Sequence, residues 1–282
     1  MKRALIAIDL DRTTLNDQGR VSAHTRQVLQ RLQGDGHLVA IITGRSTRLA
    51  LPIYQELALT SPMINFDGGL GFHPNYDWTD SYSFPLADPV VKDLLDHQAS
   101  LGIEALLLEN QTGTWRVNNQ GAQGDFRLLE PDEPLFFPIQ DDTLPSLSTL
   151  QDQTVPVVNG LVLYVAKQNQ SKVAVYLRKA HPNVNVQVQA WGDNSCLMSL
   201  ALTDVDKYTG LKRLQDSFGI SSEAVYAFGD ELNDYAMIAG AAHGVVMKNG
   251  NPRLKAIADD ITTFSNEEDG LARYLEREFN LI

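Results

Sequence analysis

The sequence predicts an α/β fold in which a doubly wound parallel sheet is split by an inserted α+β domain. Three observations predict it. Wholly apolar runs at Ala4–Ile8 and Leu38–Ile42 alternate with segments of helical period, as expected of parallel strands covered on both faces. Past Phe84 the rhythm becomes helix then strands, followed by strand–helix–strands, a pattern of α+β domains with largely antiparallel sheets. From about Thr203 the strand-then-helix alternation resumes.

After the first strand, Ser22 offers an N-cap, and Val28, Leu29 and Leu32 share one helical face that Gly34 and Gly36 terminate. Leu38–Ile42 is the second strand, a helix runs from about Ser46 to Ala58, and Pro62–Phe66 is a third strand in the same parallel sheet. Asp67-Gly68-Gly69 reads as a tight turn. In the insertion, Val90–Leu101 is an amphipathic helix, and Ile103–Leu108 and Thr114–Asn118 are strands. Residues 119–160, rich in Gln, Asp and Pro, read mostly as loops. A strand at Leu161–Ala166, a helix at Lys172–Ala180 and strands at Val184–Ala190 and Cys196–Leu202 follow. Then come strands at Val225–Phe228 and His243–Met247, a helix at Asn251–Ala258 and a last amphipathic helix at Glu267–Phe279. The expected core is therefore 1–83 with 203–282, and the insertion 84–202, a normal domain size.

The 282 residues carry 23 Lys and Arg against 35 Asp and Glu, a net charge of −12. That argues against nucleic acid or an anionic membrane surface as partner. It leaves room for a small anionic substrate, since a metal and a few local cations can reverse the field in one cleft. No apolar run approaches the length of a membrane span, and Met1-Lys2-Arg3 leads into the first strand without a signal-peptide pattern, so a cytoplasmic location is expected. Cys196, the one cysteine, lies in an apolar stretch and reads as a core thiol. The six histidines lack metal-ligand spacing, and neither G-x-G-x-x-G nor a P-loop occurs. Trp78, Trp115 and Trp191 read as packing residues.

Four segments carry chemistry. Leu5–Ile8 ends in Asp9-Leu10-Asp11-Arg12-Thr13. Two carboxylates at the C-terminal end of a buried strand sit where open α/β sheets bind ligands. They are either solvated turn acids or partners of a hard cation such as Mg²⁺, and Asp can also attack phosphorus as a nucleophile. Thr43-Gly44-Arg45 follows the second strand, at a helix mouth suited to an anion or simply to a cap. Arg45 could grip a substrate phosphate or carboxylate, or form a structural ion pair. Lys207 stands in Asp206-Lys207-Tyr208-Thr209-Gly210. Gly229-Asp230-Glu231-Leu232-Asn233-Asp234 follows the strand at Val225–Phe228, either as a capped helix start or as a second acidic pair.

In this order the four segments resemble the haloacid dehalogenase-like phosphatase superfamily, and within it the Cof-type branch with a C2-type cap inserted between the second and third motifs. The resemblance implies a Mg²⁺-dependent phosphatase acting on a small phosphorylated metabolite through an aspartyl-phosphate. Asp9 would be nucleophile and metal ligand. Asp11 would be general acid–base and ligate metal through its backbone carbonyl. Thr43, Gly44, Arg45, Lys207 and Asn233 would hold the phosphoryl group, with Lys207 also counted as catalytic. Asp230 would bind Mg²⁺ directly, and Asp234 would join the metal site through water or by orienting a ligand. The insertion would confer specificity, with Gln111–Asp125 a candidate edge. A phosphomutase of the same superfamily and a phospho-acceptor signalling module are the alternatives. The chain departs from the family pattern in three places: Arg12 replaces a usual Gly, Asp67 stands where many relatives carry Asn before Gly, and the small residue after Lys207, Gly210, lies further from it than is common.

Overall fold

The computed structural model describes residues 3–118, 157–191 and 194–281. It divides into two compact units, Met1–Tyr82 with Asp206–Ile282, and Ser83–Val205; the sequence placed these junctions at 83/84 and 202/203.

Unit one begins with β1 (Leu5–Ile8), α1 (Ala23–Gly34), β2 (Leu38–Ile41), α2 (Thr47–Glu56), β3 (Met63–Asn65), β4 (Leu70–Phe72) and β5 (Tyr82–Ser83), within which the unit ends. Ser22 caps α1, its Oγ accepting from the Thr25 N–H at 2.9 Å. Unit two holds α3 (Asp88–Leu101), β6 (Ile103–Glu109), β7 (Thr114–Asn118), β8 (Gly160–Ala166), α4 (Gln170–Ala180), β9 (Val184–Trp191) and β10 (Ser195–Leu202). Unit one resumes with α5 (Lys207–Ser217), β11 (Val225–Gly229), α6 (Tyr235–Gly240), β12 (His243–Val246), α7 (Pro252–Lys255), β13 (Asp260–Ile261) and α8 (Gly270–Glu278).

The central sheet of unit one runs β13-β12-β11-β1-β2, parallel throughout. Successive β1 residues point to opposite faces. Ile6 and Ile8 pack with residues of α1, α2 and α8, while Leu5 and Ala7 pack with residues of α5, α6 and α7. This is the doubly wound arrangement expected from the apolar runs.

Three elements differ from expectation. β3 is not a full member of the parallel sheet. It touches β2 through a single parallel bridge, Ile42 to Ile64, and pairs antiparallel with β4. The turn at Phe66–Gly68 reverses the chain before a longer parallel ladder can form. The helix expected at Asn251–Ala258 is one turn, Pro252–Lys255. Asp259 leaves it to bond β12, giving its N–H to the Gly244 carbonyl and accepting the Gly244 N–H. The last helix starts at Gly270, because Asp269 sits in the left-handed region (φ 58°) and breaks continuity with the turn before it.

Unit two is a five-stranded sheet, β7-β6-β8-β10-β9, with every neighbouring pair antiparallel. Alternate strand residues, among them Leu161, Leu163, Val165, Met198 and Leu200, pack with Val90, Val91 and Leu94 of α3 and Val173 and Leu177 of α4. Cys196 is a buried free thiol in that layer. The loops expected from 119 onward, including residues 119–125 of the Gln111–Asp125 edge, fall largely outside the described residues, as do the side chains of Trp115 and Trp191. Trp78 is buried and donates its indole N–H to Ser217 Oγ at 2.9 Å. Among the described residues no helix is long and apolar enough to cross a membrane.

Candidate active site

β1 and β11 lie side by side, Ile8 opposite Phe228, so the acids that follow each strand emerge together. The Asp9 N–H still donates to the Phe228 carbonyl at 3.0 Å. Asp9, Asp230 and Asp234 are buried, and each offers a carboxylate oxygen within 4.8 Å of the other two. Lys207, the first residue of α5, is fully buried among them. Its Nζ donates to Asp9 Oδ1 at 2.6 Å and to Asp234 Oδ1 at 2.5 Å. Asp206 delivers it: as N-cap of α5 it accepts the Thr209 N–H at 3.0 Å.

Asp234 spends its other oxygen on the chain. Its Oδ2 accepts the N–H groups of Asp230 (2.9 Å) and Glu231 (3.1 Å). This clamp shapes the loop that presents Asp230. Gly229 makes room for it, since a Cβ there would lie 2.4 Å from Asp234 Cγ. With both oxygens engaged, Asp234 is better placed to orient Lys207 and Asp230 than to ligate an ion directly.

The charge balance is uneven. Burial pushes the Asp9 carboxyl well above the ordinary carboxylate range; Lys207 opposes this, and Asp234, Asp11 and Asp230 add to it. Asp230 is pushed up to about 7, chiefly by burial and then by Asp234, with Arg12 and Lys207 opposing. Lys207 is held above its ordinary value: burial pulls it down, but Asp234, Asp9 and Asp67 more than compensate. One buried ammonium thus stands among three buried carboxylates and donates to two of them. The donor set is all oxygen and short of positive charge, which fits a hard divalent cation.

The loop after β1 explains the departure at position 12. Arg12 adopts φ 53°, ψ 13°, a conformation open to Gly without steric cost. Here Arg12 carries its guanidinium to 3.8 Å from Asp230 Oδ2, and its carbonyl accepts from Asn249 Nδ2 at 2.8 Å. Thr14 Oγ1 donates to the Asp9 carbonyl at 2.6 Å, securing the nucleophile candidate's backbone.

Asp11 and Arg45 meet each other. Arg45 donates from Nε (2.8 Å) and Nη2 (2.6 Å) to the two Asp11 oxygens, a bidentate pair. Of the two readings of Arg45, the structure therefore contains the ion pair. Thr43 is buried, and its Oγ1 accepts the Arg45 N–H at 3.2 Å. Asn233, expected to face a phosphate oxygen, gives its amide to Asp67 Oδ1 at 2.9 Å. Asp67 also lies against Gly44, where a Cβ would fall 3.0 Å from Oδ1, and 4.0 Å from Lys207 Nζ.

Asp67 is the residue that sequence reasoning left out of the site. Its signal was present as an acid in place of Asn beside a Gly pair. Reading it as a turn residue was sound for the backbone, whose φ is 51°, but missed where the carboxylate points.

The haloacid dehalogenase-like hydrolase family model matches residues 6–275. The chain is 33% identical over 281 residues to the 5-amino-6-(5-phospho-D-ribitylamino)uracil phosphatase YitU of Bacillus subtilis, covering 99% of each protein. It is 28% identical over 273 residues to a second phosphatase of that name from the same organism, YcsE, covering 95% of this chain and 93% of that one. A crystal structure of a haloacid dehalogenase-like hydrolase from Bacteroides thetaiotaomicron superposes with a TM-score of 0.80 at 25% identity, covering 99% of this chain and all of that one. With its parallel core, its acid-bearing strand ends and a family match over nearly its whole length, this chain belongs to the haloacid dehalogenase-like hydrolase family.

Proposed function

We propose that this hydrolase is a Mg²⁺-dependent phosphatase of small phosphorylated metabolites, working through an aspartyl-phosphate on Asp9. The observation that carries the reading is the buried cluster of Asp9, Asp230 and Asp234 around Lys207 at the ends of two adjacent parallel strands. Asp9 and Asp230 would hold Mg²⁺ through their side chains, with the Asp11 backbone carbonyl as a further ligand. The ion would neutralise charge between nucleophile and phosphoryl group.

The protein's own groups divide the remaining work. Asp9 attacks phosphorus, and the ester P–O bond breaks. Lys207 holds Asp9 in place and offers charge to the transferring group. Asp11 gives a proton to the departing alkoxide, then takes one from the water that hydrolyses the acyl-phosphate. In the resting structure Arg45 holds both Asp11 oxygens, so Arg45 positions the acid–base group, and Asp11 must loosen that pair to exchange its proton. Thr43, Gly44 and Asn233 line the seat for the phosphoryl oxygens. Asp234 keeps Lys207 and the Asp230 loop in register.

The kinship with two phosphatases named for 5-amino-6-(5-phospho-D-ribitylamino)uracil supports placing that compound first in a substrate panel, with sugar phosphates beside it. Phosphate release from panel members, dependent on Mg²⁺ and lost on chelation, is the expected result. No release from any member with Mg²⁺ present would refute the reading.

A further inference from the structure

Three groups assigned to the phosphoryl group converge on a side chain that is already negative. Asp67 Oδ1 accepts the Asn233 amide at 2.9 Å, lies 4.0 Å from Lys207 Nζ, and sits against the bare backbone of Gly44. We infer that the Asp67 carboxylate occupies the phosphoryl seat of the resting enzyme, so that an incoming phosphate must take the Asn233 amide from it and displace it from the space beside Gly44. The inference deepens the phosphatase reading and rests on it.

The turn that carries Asp67 cannot readily retreat. Phe66, Asp67 and Gly68 all have positive φ, at 52°, 51° and 100°. The Phe66 and Asp67 N–H groups bond the carbonyls of Arg45 (3.2 Å) and Thr43 (3.1 Å). Asn65 Nδ2 donates to the Arg45 carbonyl at 3.0 Å. Gly68 is pressed on the Asp206 backbone, where a Cβ would fall 2.0 Å from the carbonyl oxygen. The backbone is therefore pinned on both sides, to the Thr43–Arg45 loop and to the start of α5. Only rotation of the Asp67 side chain can clear the seat, and even then its charge stays close to the anion. Two effects oppose phosphate: competition for the Asn233 amide, and like-charge repulsion in a partly desolvated cleft. Asp67 thus acts as a positioning residue that lowers affinity for the phosphate product as well as for the phosphorylated substrate.

Asp67→Asn separates charge from shape. Asn keeps the size, can still accept the Asn233 amide, and tolerates the left-handed region. Asp67→Gly suits φ 51° and removes the side chain. The test is competitive inhibition by inorganic phosphate of Mg²⁺-supported ester hydrolysis. The inhibition constant should fall about tenfold in Asp67→Asn, the order expected for relief of one like-charge contact, and should fall in Asp67→Gly too. KM should move the same way, while Asp67→Glu should show no gain. A crystal of the wild-type enzyme with Mg²⁺ and inorganic phosphate gives a reading that needs no variant: Asn233 should be on phosphate and Asp67 turned away. An unchanged or higher inhibition constant in both folded variants, or Asp67 still on Asn233 with phosphate bound, would overturn the inference. Failure of the wild-type enzyme to release phosphate from any ester would overturn the phosphatase reading beneath it.

Discussion

Two buried or half-buried acidic sites, a single carboxylate in unit two and a cluster of three in unit one, are satisfied to different degrees. In unit two Asp93 accepts from Tyr176 Oη at 2.8 Å and pairs with His181 Nε2 at 2.7 Å and His97 Nδ1 at 3.1 Å. Burial opposes its ionisation, but the hydrogen bonds from His181 and Tyr176 prevail and hold the carboxyl below its ordinary range. In unit one the same burial penalty wins. Burial pushes Asp9 and Asp230 up, and Lys207, whose Nζ donates to Asp9 and Asp234, lowers both without offsetting it. A carboxylate supplied with donors belongs to the fold. A group of carboxylates short of positive charge is a candidate site for a cation and for chemistry.

If the two sites differ in this way, the same substitution should have opposite consequences in them. Asp9→Asn should cut phosphate release by about 10³-fold or more while leaving the metal-free melting temperature level or higher, since it relieves a crowded acid. A folded Asp9→Asn protein with near-normal turnover would break the contrast.

Metal should act on one cluster only. With Mg²⁺ at about 100 times its dissociation constant, binding should add about 2.7 kcal/mol to stability. Asp230 is pushed up to about 7, so Mg²⁺ must displace a proton there. Its apparent affinity should therefore rise as pH rises through 7. A pH-independent affinity measured by titration calorimetry would show that Asp230 carries no proton for the ion to displace near neutral pH.

Asp93→Asn should leave phosphate release in place and lower stability by about 1–2 kcal/mol, the range for a charge-assisted hydrogen bond at a partly exposed group. The Asp93 contribution is present above the unfolded carboxyl pKa and lost as pH falls through the lowered folded value. Denaturant melts of the variant at pH 7 and pH 3 should therefore converge on wild type at the lower pH.

The smallest effect belongs to His24, which joins α1 to α8 and to the residue before it. Its Nε2 lies 2.9 Å from Glu276 Oε1, and its Nδ1 3.3 Å from Asp269 Oδ2. The Glu276 hydrogen bond raises its pKa against the pull of burial, with Asp269 assisting. A raised folded pKa stabilises below the unfolded value and is lost as pH climbs through the folded one. The wild-type melting temperature should decline slightly above pH 6.5, and His24→Gln should flatten that decline.

The strand ends were legible because an apolar run of four or five residues leaves its following acid little choice of place. Asp9 and Asp230 follow such runs and emerge together because β1 and β11 are neighbours. Lys207 meets Asp9 across 198 residues of sequence, a distance no local pattern spans, so its place was readable only through the family resemblance. The Asp11–Arg45 pair remained open because a guanidinium suits a carboxylate and a phosphate equally. Asp67 was hidden for a different reason. Three successive positive φ values aim its carboxylate back toward Gly44 and Asn233, and residue types alone do not reveal such a turn. The Asp93 cluster joins α3, α4 and the residue after α4, and no single segment carries its pattern.

The proposed ligation of a divalent cation by Asp9 and Asp230 can be observed in a crystal. Anomalous scattering from crystals saturated with Mn²⁺, a stand-in for Mg²⁺ at an oxygen site, tests it directly. One strong peak should lie between these carboxylates, within about 2.0–2.2 Å of an oxygen from each. Saturated crystals with no peak there, or with the ion held by other residues, would refute ligation by this pair.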